Sequence, residues 1–163
     1  MKDNQVKVQR YESTQQLPDF AESLFEVANT GFDRHSPWTV EQIKDTLDTE
    51  STLIFYATIN QQVVGFIMTS LTIDMVDVFM VVVSKEFKKQ SIGTKMFEAL
   101  INYCEQEKIS EIILETRITN IPAIALYERV GFQKVGLRKA YYSSPIEDAI
   151  IMKREIGEEM NGC

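Results

Sequence analysis

The chain has 163 residues, 44% hydrophobic and 25% charged, with a formal net charge of −7 and an isoelectric point near 4.8. That length suits one domain with a sizeable core, and the acidic balance argues against nucleic acid or an anionic membrane as a direct partner. Two cysteines, Cys104 and Cys163, and the lone His35 offer no metal-ligand spacing, no disulfide framework and no Ser/His/Asp triad.

The opening M-K-D-N-Q-V-K has no apolar signal core, and no window approaches the roughly 18–20 apolar residues of a membrane span, so a soluble cytoplasmic protein is expected. Residues 6–11 alternate as a first strand. Leu17, Phe20, Leu24, Val27 and Ala28 mark one face of a helix that begins near Pro18 and that Gly31 ends. F-D-R-H-S-P-W-T reads as a loop that Trp38 anchors on the core. Thr39 and Gln42 stand at capping-box spacing, and Val40, Ile43 and Leu47 give a short second helix. Strands over 53–59 and 63–73 flank the turn Asn60-Gln61-Gln62, with Gly65 allowing a bulge, and a strand over 76–83 completes an antiparallel meander.

That third strand runs straight into the chain's most informative stretch. Val81, Val82 and Val83 read as strand buried on both faces, and helical spacing begins at Ile92 and continues through Met96, Phe97, Leu100, Ile101 and Cys104. A helix starting near Ser91 leaves its first N–H groups without intrahelical partners, at the positive end of the macrodipole, where an anion fits. Lys85, Lys88, Lys89 and Lys95 against Glu86 make the segment locally +3 in an acidic protein. That island suggests a polyanionic ligand, although a solvated surface loop would look the same.

A strand over 111–117 should return parallel to the third, followed by a helix over 123–129 stopped by Gly131 and by strands over 133–141 and 148–154 joined by S-S-P-I-E. Residues 1–156 are expected to form a single domain and 157–163 a disordered tail. The result is a mixed, mostly antiparallel α/β (α+β) sheet of about seven strands with about four helices. Ligands in such sheets sit where strands diverge beside a helix N-terminus, here near Val83 and Arg117.

Two side chains invite chemistry. Glu115 in I-I-L-E-T-R is a carboxylate between apolar residues, on the face of Ile113 by period-two alternation, so partly buried. It is either a general base or half of a structural ion pair with Arg117. Tyr127 in N-I-P-A-I-A-L-Y-E-R-V-G-F sits on the short helix and faces back toward the strand ends, either as a proton donor or as a core tyrosine.

The loop K-K-Q-S-I-G-T resembles the acetyl-CoA motif of the GNAT N-acetyltransferase superfamily, Gln/Arg-x-x-Gly-x-Gly/Ala, with Lys88 at its first position, Ser91 at the first Gly and Gly93 at the last. L-E-T-R-I-T-N-I-P-A-I-A-L-Y-E-R-V-G-F resembles the superfamily signature L-E-V-R-x-x-N-x-x-A-I-x-L-Y-x-x-x-G-F far more closely. Y-Y-S-S-P-I-E-D-A-I-I-M and S-P-W-T resemble the bacterial ribosomal-protein-alanine N-acetyltransferases in particular.

The resemblance implies acetyl-CoA as cosubstrate, with no metal. Backbone groups of Val81, Val82 and Val83 would bind the pantetheine arm. Lys88, Lys89, Gln90, Ser91, Ile92, Gly93 and Thr94 would cradle the pyrophosphate, and Asn120 would contact the reactive end. Glu115 would be base and Tyr127 acid, in direct transfer to an amine within one ternary complex. Tyr141, Tyr142, Glu147 and Asp148 would line the acceptor groove, or else form only an exposed hairpin. An α-amine, of pKa about 7.7–8.0, is easier to deprotonate than a lysine at about 10.4, which favours protein N-termini. A small-amine enzyme and a catalytically weak acyl-CoA-binding module stay open beside that reading, as do a monomer and a homodimer.

Overall fold

The computed structural model describes residues 5–15, 17–32, 36–88 and 91–157. Its elements are strand β1 (Lys7–Arg10), helices α1 (Phe20–Gly31) and α2 (Val40–Leu47), strands β2 (Thr52–Ile59), β3 (Gln62–Thr72) and β4 (Met75–Val83), and a 3-10 turn at Lys85–Phe87. Helix α3 (Ile92–Gln106), β5 (Glu111–Arg117), α4 (Ile121–Arg129), β6 (Gln133–Ser143) and β7 (Ile146–Glu155) follow. One seven-stranded sheet runs in the order β1-β2-β3-β4-β5-β7-β6, and among its pairings only β4 with β5 is parallel. The mixed, mostly antiparallel α/β fold expected from the sequence is the fold observed. Strands β6 and β7 run longer than expected, and His35 and the tail residues 158–163 lie outside the described residues.

The sheet separates two cores. On one face α1 and α2 bury Leu24, Val27, Ala28 and Ile43 against Ile54, Tyr56, Phe66, Met68, Met80 and Val82. On the other, α3 drives Met96, Phe97, Leu100 and Cys104 into Phe55, Ile67, Val76, Val78, Ile112 and Leu114. Each fully buried large apolar side chain contributes about 1.5–3 kcal/mol, so the helical spacing of α3 is what fixes it on the sheet. The capping box of α2 forms as read: Gln42 N donates to Thr39 Oγ1 at 3.1 Å, and Thr39 N to Gln42 Oε1 at 2.8 Å.

Two bulges shape the middle of the sheet. One falls at Val64, beside Gly65, between the pairs Ala57 with Gly65 and Thr58 with Val63. The other inserts Phe79 between the pairs Thr69 with Val78 and Met68 with Met80. An inserted residue reverses the alternation, so Val76 and Val78 face α3 while Met80 and Val82 face α1. Trp38 packs at the α1 side and stacks on Phe79, ring centroids 5.5 Å apart.

Candidate active site

The bulge at Phe79 coincides with a parting of strands. β4 pairs with β5 only from Met75 with Glu111 to Val78 with Leu114, yet β4 continues to Val83 and β5 to Arg117. From Phe79 onward the edge of β4 that faces away from β3 has no strand partner among the described residues. For that reason Val81 and Val83 are only half-buried, where full burial on both faces was expected; Val82 alone is buried. A strand edge of free N–H and C=O groups bordering a gap is a place for an extended, amide-bearing ligand.

Helix α3 begins beside this gap. Ser91, its N-cap, adopts a left-handed backbone with φ 59° and gives no side-chain cap, and Lys95 N is bonded to Ser91 O. The amides of Ile92, Gly93 and Thr94 therefore have no intrahelical acceptor, and among the described residues no other acceptor takes them, so they can meet an anion. Gly93 lets α4 come close: a Cβ there would sit 2.9 Å from Leu126 Cδ2. Lys88 is engaged elsewhere, its Nζ donating to Gly31 O at 2.9 Å at the C-terminal end of α1. That use of the side chain is a helix cap, not an anion contact. Lys89 and Gln90 lie outside the described residues. Asn120 caps α4, accepting from Ala123 N at 3.4 Å.

On β5, Ile112, Leu114 and Thr116 face α3, while Glu115 shares the opposite face with Ile113 and Arg117. Glu115 is not paired with Arg117. It forms an ion pair of 2.8 Å with Arg138 of β6, and its side chain keeps 28% of its exposure. Glu115's charge, and then its carboxylate as an acceptor for the hydroxyl, push the neighbouring Tyr141 phenol up. Arg138 lies over the Tyr141 ring, 5.2 Å from its centroid. Asp77 of β4 belongs to the same group: partial desolvation, and next Glu115's charge, push its carboxyl up, while Arg138 pulls it down. Asp77 and Arg138 were not singled out from the sequence. Asp77, an acid inside the apolar run M-V-D-V-F-M, carries the same signal as Glu115; Arg138 carries none, because an arginine on an edge strand is ordinary.

Tyr127 is buried, 7% exposed, between Phe97 and Phe132, whose ring centroids lie 5.5 and 6.0 Å from its own. Burial, and then the neighbouring Tyr142, push its phenol far above the ordinary value, so it keeps its proton at any physiological pH. Among the described residues its hydroxyl has no hydrogen-bond partner. A buried phenol left that way costs about 1–3 kcal/mol, a penalty a bound ligand can remove.

Of the proposed acceptor-groove residues, Tyr141 is 48% exposed and Tyr142 lies half-buried beneath Arg117, whose guanidinium is 4.3 Å from its ring centroid. Arg117 donates to Glu147 Oε1 at 2.9 Å and to Pro145 O at 3.2 Å, clamping the β6–β7 turn. Thr119 also bonds Glu147. These hydrogen bonds hold the Glu147 carboxyl below its usual range. Asp148 Oδ1 accepts from Ala140 N at 2.8 Å, where β6 is irregular. Thus Tyr141 and Tyr142 join Glu115, while Glu147 and Asp148 build the hairpin around them.

A parted β4–β5 pair, a free helix N-terminus at the gap and a carboxylate and a buried tyrosine on its borders form one arrangement. The sequence matches the Acetyltransferase (GNAT) family over residues 17–132. The chain belongs to the GNAT acetyltransferase family. It is 34% identical over 118 residues to the ribosomal protein bS18-alanine N-acetyltransferase of Escherichia coli strain K12, covering 71% of this chain and 79% of that protein. It is 33% identical over 115 residues to an N-alpha-acetyltransferase of Saccharolobus solfataricus, covering 63% of this chain and 68% of that protein. The crystal structure of the E. coli ribosomal-protein-S18-alanine N-acetyltransferase superposes with a TM-score of 0.82 at 26% identity, over 96% of this chain and 99% of that one. As a GNAT acetyltransferase the protein takes its acetyl group from acetyl-CoA. The free edge of β4 and the unpaired amides of Ile92, Gly93 and Thr94 fit the amide-rich arm and the pyrophosphate of that molecule. Among the described residues no helix is long and apolar enough to cross a membrane, and no three His, Cys, Asp or Glu side chains cluster to hold a metal.

Proposed function

We propose that the protein acetylates the α-amine of a protein N-terminus, and of a ribosomal protein in particular, with residues 1–156 acting as one acetyltransferase domain. The observation that carries this reading is Glu115. It is a carboxylate at the mouth of the β4–β5 gap, on a face left open to solvent, where it already holds a cation, the Arg138 guanidinium. Such a face suits an ammonium group, and an α-ammonium gives up its proton near neutrality at lower cost than a lysine. The relatives support the acceptor class, since one is named for the alanine of ribosomal protein bS18 and the other as an N-alpha-acetyltransferase. A ribosomal acceptor would place the protein in the cytoplasm.

Acetyl-CoA, when bound, supplies an acetyl thioester. Val81, Val82 and Val83 would hold its arm along the free strand edge, the amides from Lys88 to Thr94 its pyrophosphate, and Asn120 the region near the thioester. Glu115, through water, takes a proton from the acceptor ammonium. An N–H of Val82 or Val83 stabilises charge developing on the carbonyl oxygen. Tyr127 gives its hydroxyl proton toward the departing sulfur. Tyr141 and Tyr142 wall the acceptor, with Glu147 and Asp148 holding their hairpin. Cys104, the described cysteine, is buried within α3 and offers no acyl carrier, which suits direct transfer.

The test is an acceptor panel of peptides with free N-termini, the same peptides blocked, and polyamines, scored by kcat/KM. Free N-termini should be preferred by an order of magnitude or more, and a preference for polyamines would overturn the acceptor assignment.

A further inference from the structure

Arg138 reaches Glu115 from the far edge of the sheet. Its strand, β6, is separated from β5 by β7, and along that line Arg138 opposes Ala149, which opposes Arg117. Ala149 carries only a methyl group and Gly136 no side chain at all, so the guanidinium can cross the sheet face to Glu115 at 2.8 Å. Asp77 stands on the same face one strand further, since it pairs with Ile113, two residues before Glu115. It is near enough that its carboxylate, Glu115 and Arg138 act on one another. The other cations of this face are engaged elsewhere: Arg117 is fixed on Glu147 and the hairpin carbonyls, and Lys153, opposite Ile113, is paired with Glu111 and Glu155. Glu115 thus holds a guanidinium that is itself 56% exposed, with a second carboxylate, Asp77, on the same face.

We infer that Arg138 is a displaceable stand-in for the acceptor's ammonium group: it occupies Glu115 in the free enzyme and transfers to Asp77 when the acceptor arrives. This rests on the reading of Glu115 as the base. An exposed ion pair is cheap to break, and a second carboxylate on the same face makes it cheaper, because the guanidinium leaves one partner for another and not for water. Asp77 and Arg138 are in this account positioning residues that tune acceptor binding, while Glu115 handles the proton. No bond other than hydrogen bonds changes in the exchange.

The test is transfer to an octapeptide with a free N-terminal alanine, with KM for the peptide read separately from kcat. Both positions are exposed, so neither substitution opens the core. Arg138→Gln should lower peptide KM about three- to fivefold, the scale of an exposed ion pair, and Asp77→Asn should raise it by about the same factor. The double variant should match Arg138→Gln, because Asp77 has nothing to hold once Arg138 is gone. A double variant whose KM returns to that of the unaltered enzyme would mean that the two act only through summed charge, and would overturn the exchange. An Arg138→Gln KM that is unchanged or raised would overturn it too. Calorimetric binding of the same peptide to the CoA-loaded protein supplies the comparison where kcat falls. Glu115→Gln runs alongside. If it transfers at full rate, the base assignment falls and the exchange with it; if transfer collapses but the Arg138 and Asp77 pattern is missing, the exchange alone is wrong.

Discussion

On the α3 side of the β4–β5 gap the site is made of backbone: a strand edge without a partner, three amides at a helix start, and a glycine that lets α4 close in. On the β6 side it is made of side chains, with Glu115 paired to Arg138, Asp77 on the same face, Tyr141 under the Arg138 guanidinium and Arg117 clamping the hairpin beyond them. In the proposed reading, backbone groups recognise the arm and the pyrophosphate of acetyl-CoA. Side-chain groups can be exchanged one at a time without disturbing the sheet, which makes that side the natural seat of acceptor choice. Tyr127, buried against Phe97 and Phe132, belongs to both.

If the two sides are separable, substitutions should divide their effects. Glu115→Gln carries the largest expected effect, a fall in kcat of about 10²–10⁴-fold, the usual worth of a general base, with acetyl-CoA affinity unchanged by calorimetry. A parallel loss of acetyl-CoA affinity would mean that the sides are not separate. Gly31→Ala tests the backbone side from behind, because a Cβ there would stand 2.2 Å from Val82 Cγ2 and 2.6 Å from Val83 O. Overpacking of this kind costs about 1–3 kcal/mol, and displacement of the β4 end should weaken acetyl-CoA binding along with a lower Tm.

Tyr127→Phe should reduce kcat about 10²-fold while raising stability by about 1 kcal/mol, since it deletes a buried hydroxyl that has no partner among the described residues. The sign with pH follows from the raised phenol: unfolding lets it ionise from near 10, so stability holds below that value and falls as pH climbs from it toward the folded one. Cys104 behaves alike, its thiol pushed from 9.0 to about 12 by burial and then by Glu105. Alkaline unfolding should therefore set in from about pH 9, and Tyr127→Phe should blunt it above pH 10. Chemical denaturation across that range checks both. The smallest effect is expected at Ser91, whose φ of 59° is strained for any residue but glycine. Ser91→Gly should raise stability by about 0.5–1 kcal/mol, read as a Tm rise of about 2 °C.

Much of the fold was legible because its segments obey clean periods. The α3 stripe from Ile92 to Cys104, the capping box at Thr39 and the alternation of β5 each specify their element locally. Glu115 and Tyr127 stood out as polar groups in apolar settings. That strands diverge near Val83 and Arg117 was legible from the topology, but the bulge at Phe79 where β4 parts from β5 was not, because nothing in V-F-M-V-V-V marks which residue is extra. Partners of long side chains were not legible either. Lys88 reaches Gly31, Arg138 reaches Glu115 and Arg117 reaches Glu147, spans set by the sheet order and by small residues such as Ala149, not by sequence neighbours.

The most direct measurement is mass spectrometry of a peptide that carries both a free N-terminal alanine and an internal lysine, after incubation with the enzyme and acetyl-CoA. The account predicts a single acetyl group on the α-amine, lost when Glu115 becomes Gln. Acetylation of the lysine in preference to the α-amine, or equal transfer by the Glu115→Gln enzyme, would contradict it.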